Sequence, residues 1–528
     1  MVKLLFLFLM EVCVFSQQKS DEEILKEILV KHNLSISDFT VYHNINEIPE
    51  DMFQPNLWYM VEDNKVKMLH ISYTIIPQID LSGLNSLESL ILNDCNITNL
   101  KLSNLPNLKE LEFYGNEKLA RVDLSGLRSL EKLELGIFDS ITDLNLSDLP
   151  NLKELDLYKN KGLTRVDLSG LASLEKLNLG LCNIPDLNLF KLPQNLKELN
   201  LFGNGKLTQI DLSGLASLEK LDLGRCNITD LSLSKLPPNL KELGLSENKG
   251  LTQLDLLGLT NLEKLNLSWC NIADLNLFKL PQNLKELNLS GNEGLTQVDL
   301  SGLTNLEKLD LSFCKITNLN LLKLPQNLKE LDLSNNNLTQ IDLSGFINLE
   351  SLHLSGCNIT DLTLSKLKFP PNLKTLDLSD NKKLTQVDLS GLVSLEWLDL
   401  MYNTITDLKL VNLPNLKVLG LSGNKDPTRV DLSGLTSLEY LDLSMHNITD
   451  LKLSNLPNLR RIDLYKNKNL TQIDLSELTK LKELDLRWCE NLKEIILSKE
   501  VKDKIKIYRI TDDVGITDDL KKVNIIWK

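Results

Sequence analysis

Leucine and isoleucine recur along most of the chain at positions 1, 4 and 6 of a unit that repeats every 21 or 22 residues. One clear copy starts at Leu306, continues through Leu309 and Leu311, and is followed by a copy that starts at Leu328. Such starts run from Val66 to Leu481. Apolar and polar residues alternate within each copy, which predicts a short strand with one buried side. Stacked copies then predict one parallel sheet.

The second half of each copy alternates in the same way. Val298-Asp299-Leu300 and Leu319-Asn320-Leu321 are examples, and such segments are followed by Ser-Gly-Leu or reach a Leu-Pro turn. Too few residues remain in a copy for a helix of useful length. We therefore expect extended segments or short strands on the side opposite the sheet.

The full pattern is LxxLxLxx(C/N)xL followed by LxLxxL. It resembles that of the leucine-rich repeat family. The LxL in both halves is similar to the bacterial IRREKO-type repeats, over about residues 66–497. The resemblance implies a β-rich solenoid, an arc of about 20 repeats with a parallel concave sheet, a convex side of extended segments or short strands and a microbial source. It also implies a binding module, not an enzyme.

The N-terminal residues predict export. Residues 1–16 contain one lysine and an apolar run from Leu4 to Met10, which is typical of a secretory signal peptide that is cleaved after Ser16. Glu11 interrupts the apolar run, and a buried first strand or helix is the alternative. No later segment has the ~20 apolar residues of a membrane span.

The segments that flank the repeats predict caps. Residues 17–65 form the N-terminal cap and include a short amphipathic helix that begins at Ser20, because acidic residues fill its first turn. Residues 498–528 form the C-terminal cap and are too few for a catalytic domain. Without caps the terminal repeats would expose their core to water.

Position 9 alternates between two residue types. Asparagine occupies it in one set of copies, at 116, 160, 204, 248, 292, 336, 381, 424 and 467. Cysteine mostly occupies it in the other set, at 95, 182, 226, 270, 314, 357 and 489. Cysteines two strands apart are separated by ~9.6 Å, which exceeds the ~7 Å limit for a disulfide. We therefore predict buried thiols in place of asparagine, not a disulfide or zinc framework.

Composition argues against several functions. The formal charge of −14 and the pI near 5.1 disfavour a nucleic-acid partner. The sequence has no HExxH, phosphate-loop or CxxC motif, so we predict no enzymatic activity and no cofactor. Position 5 is often aspartate, but single carboxylates one strand apart lack the converging oxygens of a calcium site, and we expect no metal.

Charge at positions 2 and 3 alternates between glutamate and lysine from Glu175 to Glu330, which predicts unlike charges facing each other across the sheet. In later consecutive copies, position 3 is Thr375 and then four residues that are mostly apolar. The predicted partner-binding residues come from this row and from the neighbouring positions 7 and 8, and are Trp397, Tyr402, Val418, Tyr440, Met445, Arg461 and Tyr465. Such residues dominate the energetic centres of interfaces. Drift in terminal repeats is the alternative.

Two functions remain open. The first is recognition of a protein or glycan through the concave face by a secreted or cell-surface protein. The second is a structural or scaffold role in the cytoplasm, with an uncleaved leader.

Overall fold

The structure is a computed structural model, and residues 1–18, with the predicted signal peptide, lie outside its described part. The described residues are 19–48, 56–119, 121–138, 141, 144–163, 166–207, 211–229, 235–251, 253–275, 278–296, 298–319, 322–339, 343, 345–361, 369–424, 432, 434–508 and 523–528. They fall into two units, Met1–Asn248 and Lys249–Lys528, which we take in turn.

The first unit begins with the predicted helix, which spans Asp21–Lys31. Ser20 Oγ accepts a hydrogen bond from the Glu23 N–H at 3.2 Å, and the Glu23 carboxylate accepts one from the Ser20 N–H at 2.9 Å. This reciprocal cap satisfies two N–H groups that the first helical turn cannot pair. Leu25 and Leu29 are fully buried, so the amphipathic helix is confirmed.

The rest of the N-terminal region adds strands, which the aperiodic sequence did not indicate. Strand Thr40–Tyr42 pairs in parallel with Leu57–Glu62, which pairs antiparallel with Lys65–Ser72. Short 3-10 helices span Ile36–Asp38 and Ile45–Glu47. The helix is tied to this hairpin, because the Val66 N–H donates to the Asp21 carboxylate at 3.2 Å. The region therefore extends the sheet as well as packing a helix against it.

The repeats of the first unit contribute one three- to five-residue strand each to the main parallel sheet. These strands are Ser89–Asn93, Glu110–Glu112, Lys132–Glu134, Glu154–Asp156, Lys176–Asn178, Glu198–Asn200, Lys220–Asp222 and Glu242–Gly244. On the other side, Gln78–Asp80 pairs with Asn99–Lys101, and a 3-10 helix spans Leu187–Phe190. The predicted short strands opposite the main sheet are thus present.

The second unit has the same construction. Its main-sheet strands are Lys264–Asn266, Glu286–Asn288, Lys308–Asp310, Glu330–Asp332, Ser351–His353, Thr375–Asp377, Trp397–Asp399, Val418–Gly420, Tyr440–Asp442, Arg461–Asp463, Glu483–Asp485 and Lys506–Tyr508. The opposite side carries Leu254–Asp255, Phe278–Lys279, Val298–Asp299, Leu322–Lys323, Gln386–Asp388, Asp407–Lys409, Asp450–Lys452, Gln472–Leu475, Glu494–Leu497 and Asn524–Trp527. A 3-10 helix spans Lys499–Val501.

The core lies between the two sides and is built from the periodic leucines. In the copy that starts at Leu306, the side chains of Leu306, Leu309 and Leu311 are at most 2% exposed. Burying one such side chain contributes roughly 1.5–3 kcal/mol. The period of the leucines in the sequence is therefore the period of the core.

Position 9 forms a buried hydrogen-bonded ladder. The Asn336 amide nitrogen donates to Leu311 O at 2.8 Å and Leu333 O at 2.7 Å, while its oxygen accepts the N–H groups of Cys314 and Ile316. Cysteine takes over the donor function of the asparagine amide, since the Cys314 thiol donates to Leu289 O at 3.3 Å. The seven cysteines in the described part are buried and unbridged, which confirms the predicted role.

Candidate functional site

The apolar row at position 3 is continuous in the structure. The Cα register places Trp397 beside Val418, Val418 beside Tyr440, and Tyr440 beside Arg461. Thr375 precedes the row and Glu483 follows it. Because neighbouring parallel strands lie ~4.8 Å apart, these side chains form one surface.

The change is confined to position 3, whereas position 2 keeps its alternating charges. Lys374 and Lys417 pair with glutamates of the preceding copies at 2.7 Å and 2.6 Å. Arg460 pairs with Glu439 at 3.4 Å. The sequence analysis placed the break at position 3, and the position 2 pairs continue beside it.

The predicted site residues differ in how much solvent they meet. Tyr402 and Met445 are exposed by 49% and 38%, and Arg461 is also exposed. Trp397, Val418 and Tyr440 are only half-buried. The residues at position 3 are therefore less exposed than the open apolar face that the sequence predicts.

An arginine guanidinium group lies over the ring of two of the predicted aromatic residues. The Arg461 Cζ atom lies 5.2 Å from the centre of the Tyr440 ring, and the Arg487 Cζ atom lies 5.7 Å from that of Tyr465. These distances fall in the range of cation–π attraction. Arg487 was not among the predicted site residues.

Position 8 contains bulky side chains that reach over a glycine in the next copy. Tyr402 extends across Gly423, and its hydroxyl lies 3.6 Å from the Met445 sulfur. Trp269 and Phe313 use the same arrangement, with ring centres 5.9 Å apart. The Trp269–Phe313 pair is as exposed as the Tyr402–Met445 pair, at 44% and 45%. Interlocked packing, which the sequence suggested for Trp269 and Phe313, thus also applies to Tyr402 and Met445.

We predict that Gly291→Ala destabilises the second unit by about 1–3 kcal/mol, the range for overpacking a filled site. An added Cβ would lie 2.3 Å from the Trp269 ring, and Gly291 has a φ of +71°. The measurement is denaturant unfolding followed by tryptophan fluorescence. Gly302→Ala is the control, because an added Cβ there meets no atom within 4 Å. Equal stability of the two variants would contradict the interlock.

Position 5 has a structural function that the sequence analysis missed. The Asp399 carboxylate accepts the Met401 N–H at 2.8 Å, and Asp442 accepts the Ser444 N–H at the same distance. Asn288 does the same for the Ser290 N–H at 2.9 Å. The sequence contained a signal for this function, because position 5 is aspartate in some copies and asparagine in others, and both side chains supply an oxygen acceptor. Each side chain ends its strand by capping the N–H two residues later.

Burial makes some of these carboxylates costly to ionise. Asp399 is 7% exposed, and desolvation, together with repulsion from Asp377 and Asp442, raises its pKa to about 6. Desolvation also raises the pKa of Asp463. In the described part of the chain, no three histidine, cysteine or acidic side chains converge to hold a metal ion.

His353 interrupts this acidic row and joins a serine to an aspartate. Its Nε2 lies 3.0 Å from Ser351 Oγ, and its Nδ1 lies 3.8 Å from Asp377 Oδ2. The hydrogen bond with Asp377 raises the pKa of His353, against the opposite effect of burial. The order Ser351, His353, Asp377 resembles the nucleophile, base and acid of a catalytic triad. However, the Ser351 N–H already donates to Lys329 O in the sheet. That N–H is therefore not available to stabilise an oxyanion beside this serine.

Family models match the chain in several places. Two models described as leucine rich repeat cover residues 347–405 and 327–349, and a BspA type leucine rich repeat region covers 71–163. A further leucine rich repeat model matches 214–236, 258–275, 302–319 and 434–451. The chain is a leucine-rich repeat protein. Whether its repeats are of the IRREKO type stays a prediction.

Solved structures resemble this leucine-rich repeat protein at low identity. The crystal structure of a TLR13–ssRNA13 complex has a TM-score of 0.53 and 23% identity, over 87% of this chain and 80% of that one. A leucine-rich repeat protein of Leptospira interrogans has a TM-score of 0.41 and 21% identity, over 77% and 94%. The functional domain of InlJ from Listeria monocytogenes, which includes a cysteine ladder, has a TM-score of 0.33 and 22% identity, over 80% and 75%. The first shows a shared fold alone.

No curated protein matches the chain. In the described residues, no helix has both the length and the apolar character needed to cross a membrane.

Proposed function

We propose that this leucine-rich repeat protein is an exported or surface-displayed recognition module that binds a protein or glycan. The proposed site is the main-sheet surface of the second unit, centred on Trp397, Val418, Tyr440 and Arg461 and flanked by Tyr402, Met445 and Tyr465. The observation that carries the proposal is the break at position 3. Charged pairs line this position up to Lys308 and Glu330, which lie 2.9 Å apart, and a mostly apolar row replaces them from Trp397.

The geometry suits an interface. The Arg461 guanidinium lies 5.2 Å from the centre of the Tyr440 ring, so binding would order this pair at little further entropic cost. Glutamate–lysine pairs at position 2 border the row. Their water-exposed charges would form a polar rim around an apolar centre, which is the usual anatomy of a protein interface.

An RNA partner is a weaker proposal for this surface. The TLR13 structure contains single-stranded RNA, but an identity of 23% transfers no ligand. Asp399, Asp442, Asp463 and Asp485 lie beside the aromatic row and would repel phosphate groups.

The export part of the proposal rests on the leader-like residues 1–16. A mature N-terminus at Gln17, found by sequencing the native protein, would support it. An intact Met1 or Val2 would favour the scaffold role instead.

The binding part is tested with a phage-displayed library of random 12-residue peptides and a glycan array. Replacing Trp397 and Tyr440 together by alanine should weaken binding of a selected ligand by ~2 kcal/mol or more, as expected for central aromatic residues. The control replaces Trp269 and Phe313 by alanine, an aromatic pair of the same unit that is exposed by 44% and 45%. If both double variants bind like the wild type, the site lies elsewhere. If only the Trp397 and Tyr440 variant unfolds, these residues are structural.

A further inference from the structure

Position 7 of the first unit alternates between aromatic residues and glycine. In consecutive copies it is Tyr114, Gly136, Tyr158, Gly180, Phe202 and Gly224. Main-chain hydrogen bonds keep these residues in register beyond the strands, since the Ile137 N–H donates to Tyr158 O at 2.9 Å and the Lys159 N–H to Gly180 O at 2.7 Å. The next copies have serine at this position, from Ser246 to Ser334. The alternation is therefore confined to six neighbouring copies.

Each aromatic ring lies over the glycine of the next copy. A Cβ added at the glycine would lie 2.4, 3.2 and 2.8 Å from the nearest ring atom, at Gly136 below Tyr114, Gly180 below Tyr158 and Gly224 below Phe202. The three glycines are buried, whereas the three aromatic residues are only half-buried. Because the glycine side of each ring is covered, the exposed part of the ring is on the side away from the sheet.

The three rings are evenly spaced. They belong to every second strand of a parallel sheet, so their backbones are ~9.6 Å apart. All three extend towards the following copy. The row thus presents three similar apolar contacts at a constant interval. A linear polymer can match such an interval with its own repeat, whereas the surface of a folded protein has no such period.

The charges beside the row disfavour a polyanion. Positions 3 and 5 of the same six copies hold seven acidic residues and three lysines, namely Glu110, Glu112, Glu134, Glu154, Asp156, Glu198, Asp222, Lys132, Lys176 and Lys220. The lysines are paired within the row, as Lys132 is with Glu112 at 3.0 Å. The excess of carboxylates would repel phosphate or sulfate groups. The same oxygens can accept hydrogen bonds from hydroxyl groups, which are uncharged donors.

A neutral sugar chain satisfies both requirements. The face of a sugar ring carries C–H groups, which pack against the negative face of an aromatic ring. In a β-1,4-linked chain successive sugars are turned over, so every second sugar presents the same face to one side. The length of two such sugars is close to the interval between the rings.

We propose that Tyr114, Tyr158 and Phe202 form a second binding surface, which takes a neutral β-1,4-linked glycan laid across the strands of the first unit. The side chains at position 5 would bind its hydroxyl groups. A chain of about six sugars would cover the row, two for each strand pair. This surface adds to the site proposed on the second unit and does not depend on it.

The test is isothermal titration calorimetry of the full chain with cellohexaose, mannohexaose and chitohexaose, which share this linkage. At least one should bind, with an affinity that rises from the disaccharide to the hexasaccharide as more rings are engaged. Maltohexaose, whose α-linkages coil the chain, should bind about tenfold more weakly or less. So should the hexamer of mannuronate, which has the same β-1,4 linkage but a carboxylate on every sugar.

Variants of the central ring separate stacking from folding. Tyr158→Phe keeps the flat ring and should bind within about twofold of the wild type. Tyr158→Leu keeps an apolar side chain over Gly180 and should preserve thermal unfolding, but should weaken binding about tenfold or more, as expected for a central aromatic contact. Phe313→Ala is the control, because it removes an exposed ring outside the row. If Tyr158→Leu unfolds, Phe202→Leu repeats the comparison at the neighbouring ring.

Three results would overturn the inference. The first is that none of the β-1,4-linked glycans binds. The second is equal affinity of Tyr158→Leu and the wild type, which would make the rings packing elements only. The third is binding that survives Tyr158→Leu but is lost when Trp397 and Tyr440 are replaced by alanine. That third result would place the glycan on the second unit and support the proposed function instead.

Discussion

Asn336→Ala should destabilise the second unit by about 3–5 kcal/mol, because the buried amide serves four main-chain groups that cannot reach water. Its nitrogen donates to Leu311 O and Leu333 O, and its oxygen accepts from Cys314 N and Ile316 N at 3.1 Å and 2.9 Å. Alanine would leave all four without this partner. The measurement is amide hydrogen exchange at Cys314 and Ile316, because their N–H groups lose the Asn336 acceptor.

The control for this prediction is Asn327→Ala. Asn327 also donates an amide hydrogen bond to the preceding copy, at 2.8 Å to Thr304 O, but on the exposed surface. Water can replace that bond, so we expect a loss of about 1 kcal/mol or less. Comparable losses in both variants would show that burial does not set the cost.

Asp399→Asn should stabilise the protein by up to about 3 kcal/mol at pH 8, and the gain should vanish near pH 4. The folded-state pKa of Asp399 is about 6, against an ordinary value of 3.8, mainly because the carboxyl is buried. The folded state thus holds this proton more tightly than the unfolded state. Wild-type stability from this group therefore falls as pH rises from 3.8 through 6. Asparagine carries no charge but keeps the acceptor for Met401, as Asn288 shows for Ser290.

The measurement is the difference in unfolding free energy between wild type and variant across pH 4–8. Asp167→Asn is a control of opposite sign, because hydrogen bonds from Lys191 and Ser169 hold the pKa of Asp167 at about 2. That aspartate stabilises the folded state above pH 3.8, and the contribution is lost as pH falls towards 2. A pH-independent gain from Asp399→Asn would contradict the desolvation argument.

The amino-acid sequence alone determined the architecture. The leucine period predicted the parallel strands, the short strands opposite them and the buried thiols at position 9, and each was confirmed. These features are predictable because a residue's burial in a stacked repeat depends only on its position within the copy. The same reasoning located the row from Trp397 to Arg461, since residues at equal positions become neighbours across the sheet.

Only the tertiary structure decided what individual side chains do. It added the strands Thr40–Tyr42 and Leu57–Glu62 to the sheet, showed that Trp397 and Tyr440 are half-buried, and assigned the capping function to Asp399. It also showed that Arg487 pairs with Asp485. Trp397 and Tyr440 lie beside residues of neighbouring copies, more than 20 residues away in the chain, whereas the Asp399 cap and the Asp485–Arg487 pair join residues two apart. A repeat pattern aligns such copies but does not specify how their side chains pack and pair.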